Sequence, residues 1–236
     1  MKGLPVSARD VGTLRVMTYN LRGLREEVDA LVDVVRAARP DVLAVQEPPR
    51  GPAGRARLRR FAARTGLRVA VGGGAARTTA LLVVPHRSVR DAAGVRLPWR
   101  LGLTRRGVAT ARVDGVRVVV VHLGLRAPER ARHVDLVAHR LLRAAGCPVI
   151  VAGDLNERPG GPSWSALMTA AGLQDAAVAV DAEQPTYPAD VPRVRIDVVL
   201  VDERLPVLDA HVPDEAAVGI ASDHRPLVAD VHLPEP

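Results

Sequence analysis

The chain has 236 residues, 47% hydrophobic and 25% charged but only 2% aromatic, with a formal net charge of +7 and one cysteine. A chain of this length buries roughly 70% of its unfolded surface without staples, which suits one globular domain over residues 1–236. Cys147 by itself excludes an intrachain disulfide and a cysteine-rich zinc site, and Lys2, as the only lysine, excludes a P-loop phosphate clamp and an internal Schiff base.

The opening MKGLPVSARDVG holds no apolar run of signal-peptide length, and no stretch reaches the ~18 apolar residues that span a bilayer. A cytoplasmic protein with no transmembrane segment and no obligate protein partner is expected. LRVMTYN at 14–20 reads as a buried strand. Val28, Leu31, Val32 and Val35 then recur at helical spacing, with Glu26 and Glu27 at the start, Arg36 and Arg39 at the end and Pro40 as the stop. DVLAVQE at 41–47 forms a second strand, which completes a βαβ opening with both carboxyl ends at one rim. An arginine-rich helix follows over 55–65, with Leu58, Phe61 and Ala62 facing inward.

Strands are expected near 67–71, 79–84, 88–96, 107–113 and 116–122, with Asp114-Gly115 as a hairpin turn. Pro128 begins a long helix carrying Val134, Val137, Leu141 and Leu142 and capped by Gly146. VIVAGD at 149–154 is a strand, 163–171 a helix, and a Pro-rich loop leads to strands near 194–202, 206–212 and 226–233. About ten strands and four helices in mixed meander and βαβ order suggest two sheets packed face to face under helices. No internal repeat or linker breaks the chain.

Polar residues collect where buried strands end. Five ends carry Asn20, Glu47, His122, Asp154 with Asn156, and Asp223 with His224, while Asp197 stands at the start of a strand or within it. Strand ends that meet at one rim form the usual crevice of an α/β sheet, so these distant residues are expected to converge. An oxygen-rich set of this kind suits a hard cation such as magnesium, with Glu47 as the carboxylate and Asn20 as the carboxamide. Taken singly, each residue has a plainer reading. Asn20 serves equally as a turn cap, Asp154-Leu155-Asn156 as an ordinary strand-to-loop turn and Asp197 as an ion-pair partner of Arg195.

Six blocks in order carry a resemblance: MTYNLRGL at 17–24, PDVLAVQE at 40–47, VVVVHLGL at 118–125, VIVAGDLNERP at 149–159, RIDVVLV at 195–201 and SDHRPLVADV at 222–231. The chain resembles the endonuclease/exonuclease/phosphatase superfamily, the exonuclease III and pancreatic-deoxyribonuclease-like metal-dependent phosphoesterases. That resemblance implies a four-layer α/β sandwich, two mixed sheets packed face to face and flanked by helices. It implies a Mg²⁺ or Mn²⁺ site at Asn20, Glu47 and Asp223. It also implies that Asp154 acts on the attacking water with Asn156 beside it, that His224 is a phosphate ligand oriented by Asp197, and that His122 is a general acid or phosphate contact.

The implied reaction is hydrolysis of a phosphate ester by in-line attack of water, with DNA or RNA as the expected substrate. A phosphomonoesterase or lipid-head-group phosphodiesterase of the same superfamily is the alternative, and a non-catalytic phosphate-binding module the second. Val198 stands where many members carry an aromatic residue after RID. No tyrosine lies between Tyr19 and Tyr187, which disfavours abasic-site repair. Trp99, Arg100, Arg105 and Arg106 are candidate substrate contacts, and Thr186 and Tyr187 resemble a polar-aromatic segment near the histidine. The surplus arginine suits a phosphate-bearing partner or a bias in composition, and five aromatic residues make a stacking platform for single strands improbable.

Overall fold

A computed structural model describes residues 12–143 and 146–234, so the leader-like segment with Lys2 lies outside the described residues. Strand β1 (Thr13–Asn20) leads through helix α1 (Val28–Ala38) to β2 (Val42–Gln46), which pairs parallel to β1. Val35 and its neighbours bury one face of α1. Arg39 takes a left-handed conformation and donates its N–H to Val35 O, and Pro40 prevents continuation. Helix α2 (Gly54–Arg64) precedes β3 (Arg68–Gly72) and β4 (Thr79–Val83). A meander follows through β5 (Val89–Arg96), β6 (Gly107–Val113) and β7 (Val116–His122), its last hairpin closed by Asp114-Gly115 with both residues at positive φ.

Helix α3 (Ala127–Val137) crosses to β8 (Val149–Asp154), parallel to β7. The long helix expected here is not α-helical throughout, because Ala138–Leu142 form a π turn in which Arg143 N–H reaches Ala138 O. Helix α4 (Pro162–Ala171) follows. The region expected to run directly into a Pro-rich loop first forms β9 (Leu173–Asp175) and a one-turn α5 (Ala176–Ala179), which the Asp175 carboxylate caps through Ala177 N–H. Strand β10 (Asp197–Asp202) starts later than expected, since Val194 folds back onto Tyr187. Then come β11 (Val207–His211), a second short helix α6 (Val218–Ala221) and β12 (Leu227–His232).

The strands form two six-stranded sheets, ordered β11-β12-β1-β2-β4-β3 and β5-β6-β7-β8-β10-β9. Each has one parallel pair at its centre, produced by a helical crossover. Twelve strands therefore replace the expected ten, the additions being short pieces at sheet edges. Alternation decides which residues face where. Leu14, Val16, Val42 and Ala44 of the first sheet meet Val118, Val120, Ile150, Ala152 and Val199 of the second in the inter-sheet core. The odd-numbered Met17, Tyr19, Leu43 and Val45 face α1 and α2, and Val119, Val121, Val151 and Val198 face α3 and α4. The result is helix, sheet, sheet, helix. Among the described residues no helix is long and apolar enough to cross a membrane.

Gly153 marks a close approach at the centre of the second sheet. Its φ is +152°, and a Cβ there would collide with the carbonyl oxygen of Val121 on β7. Gly153→Ala is therefore expected to lower the unfolding free energy by about 2 kcal/mol or more, measured by urea denaturation, because the strand pair must separate or distort.

Candidate active site

The alternation that fills the inter-sheet core with Val, Ile and Ala continues to the strand ends, where the residue type changes. Asn20 follows Leu14 and Val16 on the inner face of β1, His122 follows Val118 and Val120 on β7, and Asp154 follows Ile150 and Ala152 on β8. Asp197 precedes Val199 on β10. Thr18 and Gln46 lie on the same face and hydrogen-bond through Thr18 Oγ1 and Gln46 Oε1 at 3.2 Å. The apolar core thus ends in a polar rim, with all four site residues buried.

Register levels the second-sheet groups. His122 is the partner of Asp154 across the parallel pair, and Asp154 is the partner of Asp197 across the antiparallel one. His122 Nε2 stands 3.6 Å from Asp154 Oδ2. His224, from the loop before β12, presents Nδ1 to Asp197 Oδ2 at 2.9 Å, and ligand atoms of Asp154, Asp197 and His224 lie within 4.8 Å of one another. Thr186 Oγ1 accepts from Ile196 and Asp197 N–H, and the Tyr187 ring stands 4.8 Å from the His224 ring, so the segment before RID braces the pair. Asn156, at positive φ, donates Nδ2–H to Leu123 O while its own N–H donates to Asp154 Oδ1 at 2.7 Å.

The first sheet supplies the other wall. Ser222 Oγ donates to Asn20 O at 2.6 Å and so ties the Asp223–His224 loop to β1. Asn20 Oδ1 accepts from Arg22 N–H, and Asp223 pairs with Arg22 Nε at 3.4 Å. Glu47, held at positive φ just after β2, donates its N–H to Thr78 O, and its carboxylate has no hydrogen bond or ion pair among the described residues. It lines a cavity of about 250 Å³ together with His122, Thr78 and Arg106, and Arg22, Arg25, Arg50 and Arg57 also line it.

Burial and charge set the protonation states. Burial and then the nearby Asp197 charge push the Asp154 carboxyl up to about 7. Burial acts to lower His224, but the charge and hydrogen bond of Asp197, helped by Asp154 and Asp223, outweigh it and hold the imidazole at about 9. His122 goes the other way. Complete burial, followed by the charges of Arg106, His224 and Arg50, takes it well below its ordinary value, so it is neutral. One imidazolium and one neutral imidazole thus flank a carboxylate poised near neutrality.

The donor chemistry fits a hard divalent cation. The unpartnered Glu47 carboxylate and the second lone pair of Asn20 Oδ1 are oxygen donors of the kind magnesium and manganese take, with Asp223 on the adjoining loop. The tighter cluster of Asp154, Asp197 and His224 is less suited to hold it, because His224 Nδ1 is committed to Asp197.

The sequence-based substrate contacts separate. Arg106 is buried at the cavity, its NH1 on His122 O at 3.3 Å. Trp99 and Arg100 are exposed outside that cavity, with Arg105 stacked over the Trp99 ring. Trp164 is a core side chain, bonded to Glu157 O and covered by Arg195. Sequence reasoning missed Thr78, whose buried hydroxyl has no partner at the cavity. It opens β4 rather than ending a strand, so the strand-end signal did not reach it. Arg22, missed as well, directly follows the MTYNL run.

A family model described as Endonuclease/Exonuclease/phosphatase family matches residues 17–224. Among solved structures, the endonuclease/exonuclease/phosphatase from Bacteroides vulgatus aligns with a TM-score of 0.77 at 17% identity, covering 94% of this chain and 99% of that one. A mannosyl-6-phosphatase from Bacteroides thetaiotaomicron aligns at 0.73 and 17% identity over 92% and 99% of the two chains. The human Nocturnin catalytic domain, solved with bound sulfate, aligns at 0.72 and 18% identity over 94% and 95%. No curated protein sequence matches the chain.

Asp154 and His224 both hold protons more tightly in the folded protein than at their ordinary values of 3.8 and 6.5. The stability from Asp154 is present below 3.8 and is lost as pH rises through about 7; that from His224 is present below 6.5 and lost as pH rises through about 9. In EDTA the urea midpoint is therefore expected to fall steadily from about pH 5 to about pH 9.5. Asp197→Asn removes the main support of the imidazolium. NMR titration of the His224 ring should then show its pKa falling by more than about one unit, with an unchanged value refuting the pairing.

Proposed function

The chain belongs to the endonuclease/exonuclease/phosphatase family of phosphoesterases, and from that membership we propose that it hydrolyses phosphodiester bonds of nucleic acid. The observation that carries the reading is the placement of a buried carboxylate–imidazole cluster beside a cavity that five arginines line. A phosphodiester brings negative charge, which the guanidiniums attract and the low-dielectric rim strengthens.

In this reading a water is aligned against phosphorus opposite the leaving oxygen. Asp154 is its base: a carboxyl held at about 7 is basic enough to take the proton and still ionised in part at neutral pH. Asn156 N–H fixes the Asp154 carboxylate. His224, charged at neutral pH and oriented by Asp197, donates from its free ring nitrogen to a non-bridging phosphoryl oxygen, where charge develops. His122 is neutral, so it acts as a hydrogen-bond donor to phosphate or the leaving oxygen rather than as a charged acid. Thr78 Oγ1 and the Arg106 guanidinium are positioned for the same oxygens. Asn20, Glu47 and Asp223 would hold Mg²⁺ or Mn²⁺, which when bound neutralises phosphate charge and supports the departing oxygen. Water attacks directly, with no covalent enzyme intermediate.

Hydrolysis of bis-p-nitrophenyl phosphate and of DNA and RNA oligomers, with Mg²⁺ or Mn²⁺ and with EDTA, tests this. Activity is expected with metal and not with chelator, and release of inorganic phosphate from monoesters with intact oligomers would replace the reading with a phosphomonoesterase. Asp154→Ala and His224→Ala are each expected to cut kcat more than ~100-fold while circular dichroism remains native. Thr78→Val, which removes an unpartnered buried hydroxyl, should leave stability within about 1 kcal/mol of wild type yet reduce kcat on bis-p-nitrophenyl phosphate by about tenfold.

A further inference from the structure

Beside the site cavity, and sharing Pro48, Arg50 and Thr104 with it, lies a second cavity of about 540 Å³. Four arginines line it, Arg50, Arg55, Arg77 and Arg105, and no carboxylate does. Arg50, Arg55 and Arg77 make no hydrogen bond or ion pair with any described residue. Elsewhere the partly buried guanidiniums have found their anions: Arg15 holds Asp230, Arg87 holds Asp41 and Asp114, and Arg195 holds Asp175. The pairing stops at this cavity.

Like charges around one concavity repel, and nothing in the chain offsets that repulsion here. Local structure adds to the positive field. Helix α2 opens on the cavity at Gly54 with no acidic residue in its first turn and no side-chain cap, so its positive dipole end is uncompensated. Arg77 is half-buried and held at a φ of +56°, a conformation costly for a residue with a side chain. Gly73 provides the room. A Cβ there would meet Arg55 Nε at 3.0 Å, so its absence lets the guanidinium lie across the cavity wall. The missing component is an anion that several guanidiniums can share, and phosphate is the one they match in geometry.

We propose that this cavity binds a second, non-scissile phosphate of the substrate. The preferred substrate is then a nucleic-acid strand with at least two linked phosphates, one at the reacting centre and one in the arginine cavity. The inference rests on the phosphodiesterase reading above and assigns its substrate length. Shared Arg50 joins the two cavities into one phosphate track, which a single phosphate ester would fill only at one end.

Fluorescence anisotropy of a fluorescein-labelled twelve-nucleotide oligothymidylate, titrated in EDTA over a range of salt, reads the site without turnover. Arg55→Ala/Arg77→Ala should weaken binding at least ~10-fold and reduce the log–log salt slope by about 1.4, at ~0.7 per lost phosphate contact. Arg59→Ala/Arg60→Ala removes equal charge from the solvent face of α2 and should change affinity less than ~2-fold. With metal present, the first variant should raise KM for the oligomer about tenfold while its turnover of bis-p-nitrophenyl phosphate, which has one phosphate, stays within about twofold of wild type. Wild-type affinity and slope in the Arg55/Arg77 variant, or an equal loss in the Arg59/Arg60 variant, overturns the cavity as a phosphate site. Failure of the phosphodiesterase reading shows separately, as absence of metal-dependent hydrolysis of bis-p-nitrophenyl phosphate by the wild-type protein.

Discussion

Two backbone registers hold the site together. His122 stands level with Asp154 across one strand pair, and Asp154 level with Asp197 across the next. All three occupy the face that valine, isoleucine and alanine fill elsewhere along the same strands. A slip of one residue in either pairing would turn a carboxylate toward the helices and a valine toward the rim. Gly153 is where that register is tightest, because only a residue without a Cβ permits β8 to pass the Val121 carbonyl one residue before Asp154.

Bringing two carboxylates into a buried rim has an electrostatic cost, and the surroundings share it out. Asp197 is paired with an imidazole that keeps its proton to about 9, while Asp154, without such a partner, rises to about 7. The two histidines of the site diverge for identifiable reasons: a carboxylate accepts from His224 at 2.9 Å, whereas His122 is wholly buried beside Arg106. One residue type thereby supplies a cation and a neutral donor on neighbouring sides of one carboxylate. The opposite sheet contributes the oxygen donors, and a single hydrogen bond from Ser222 Oγ to Asn20 O ties the histidine loop to that sheet.

Arginine, the most abundant charge in the chain, divides by location. Within and between the layers it is matched with aspartate, as at Arg15, Arg87 and Arg195, where leaving a partner out would strand a buried charge. Around the rim the matching ceases, and Arg25, Arg50, Arg55 and Arg77 line cavities without an ion-pair partner among the described residues. Composition alone did not separate a phosphate-binding surface from a bias toward arginine. Pairing does, since bias places charge without regard to concavity.

Most of the fold was legible in the sequence, because alternation of valine and helical spacing of leucine report burial directly. VIVAGD marks β8 residue for residue, and Val28 to Val35 mark α1. What escaped were short edge pieces, β9, α5 and α6, too brief to show a period, and the π turn, which depends on how the end of α3 packs rather than on its composition. Of the site, the sequence by itself determined the chemical types and their positions at strand ends, since a polar residue closing a buried run is a local signal. Only the tertiary structure decided that Asp154 shares a level with both His122 and Asp197, that Thr78 and Arg106 reach the cavity while Trp99 and Arg100 do not, and which imidazole keeps its proton. Those are matters of register, burial and distance between segments far apart in the chain, and through-space terms of that kind leave no mark in the order of the residues.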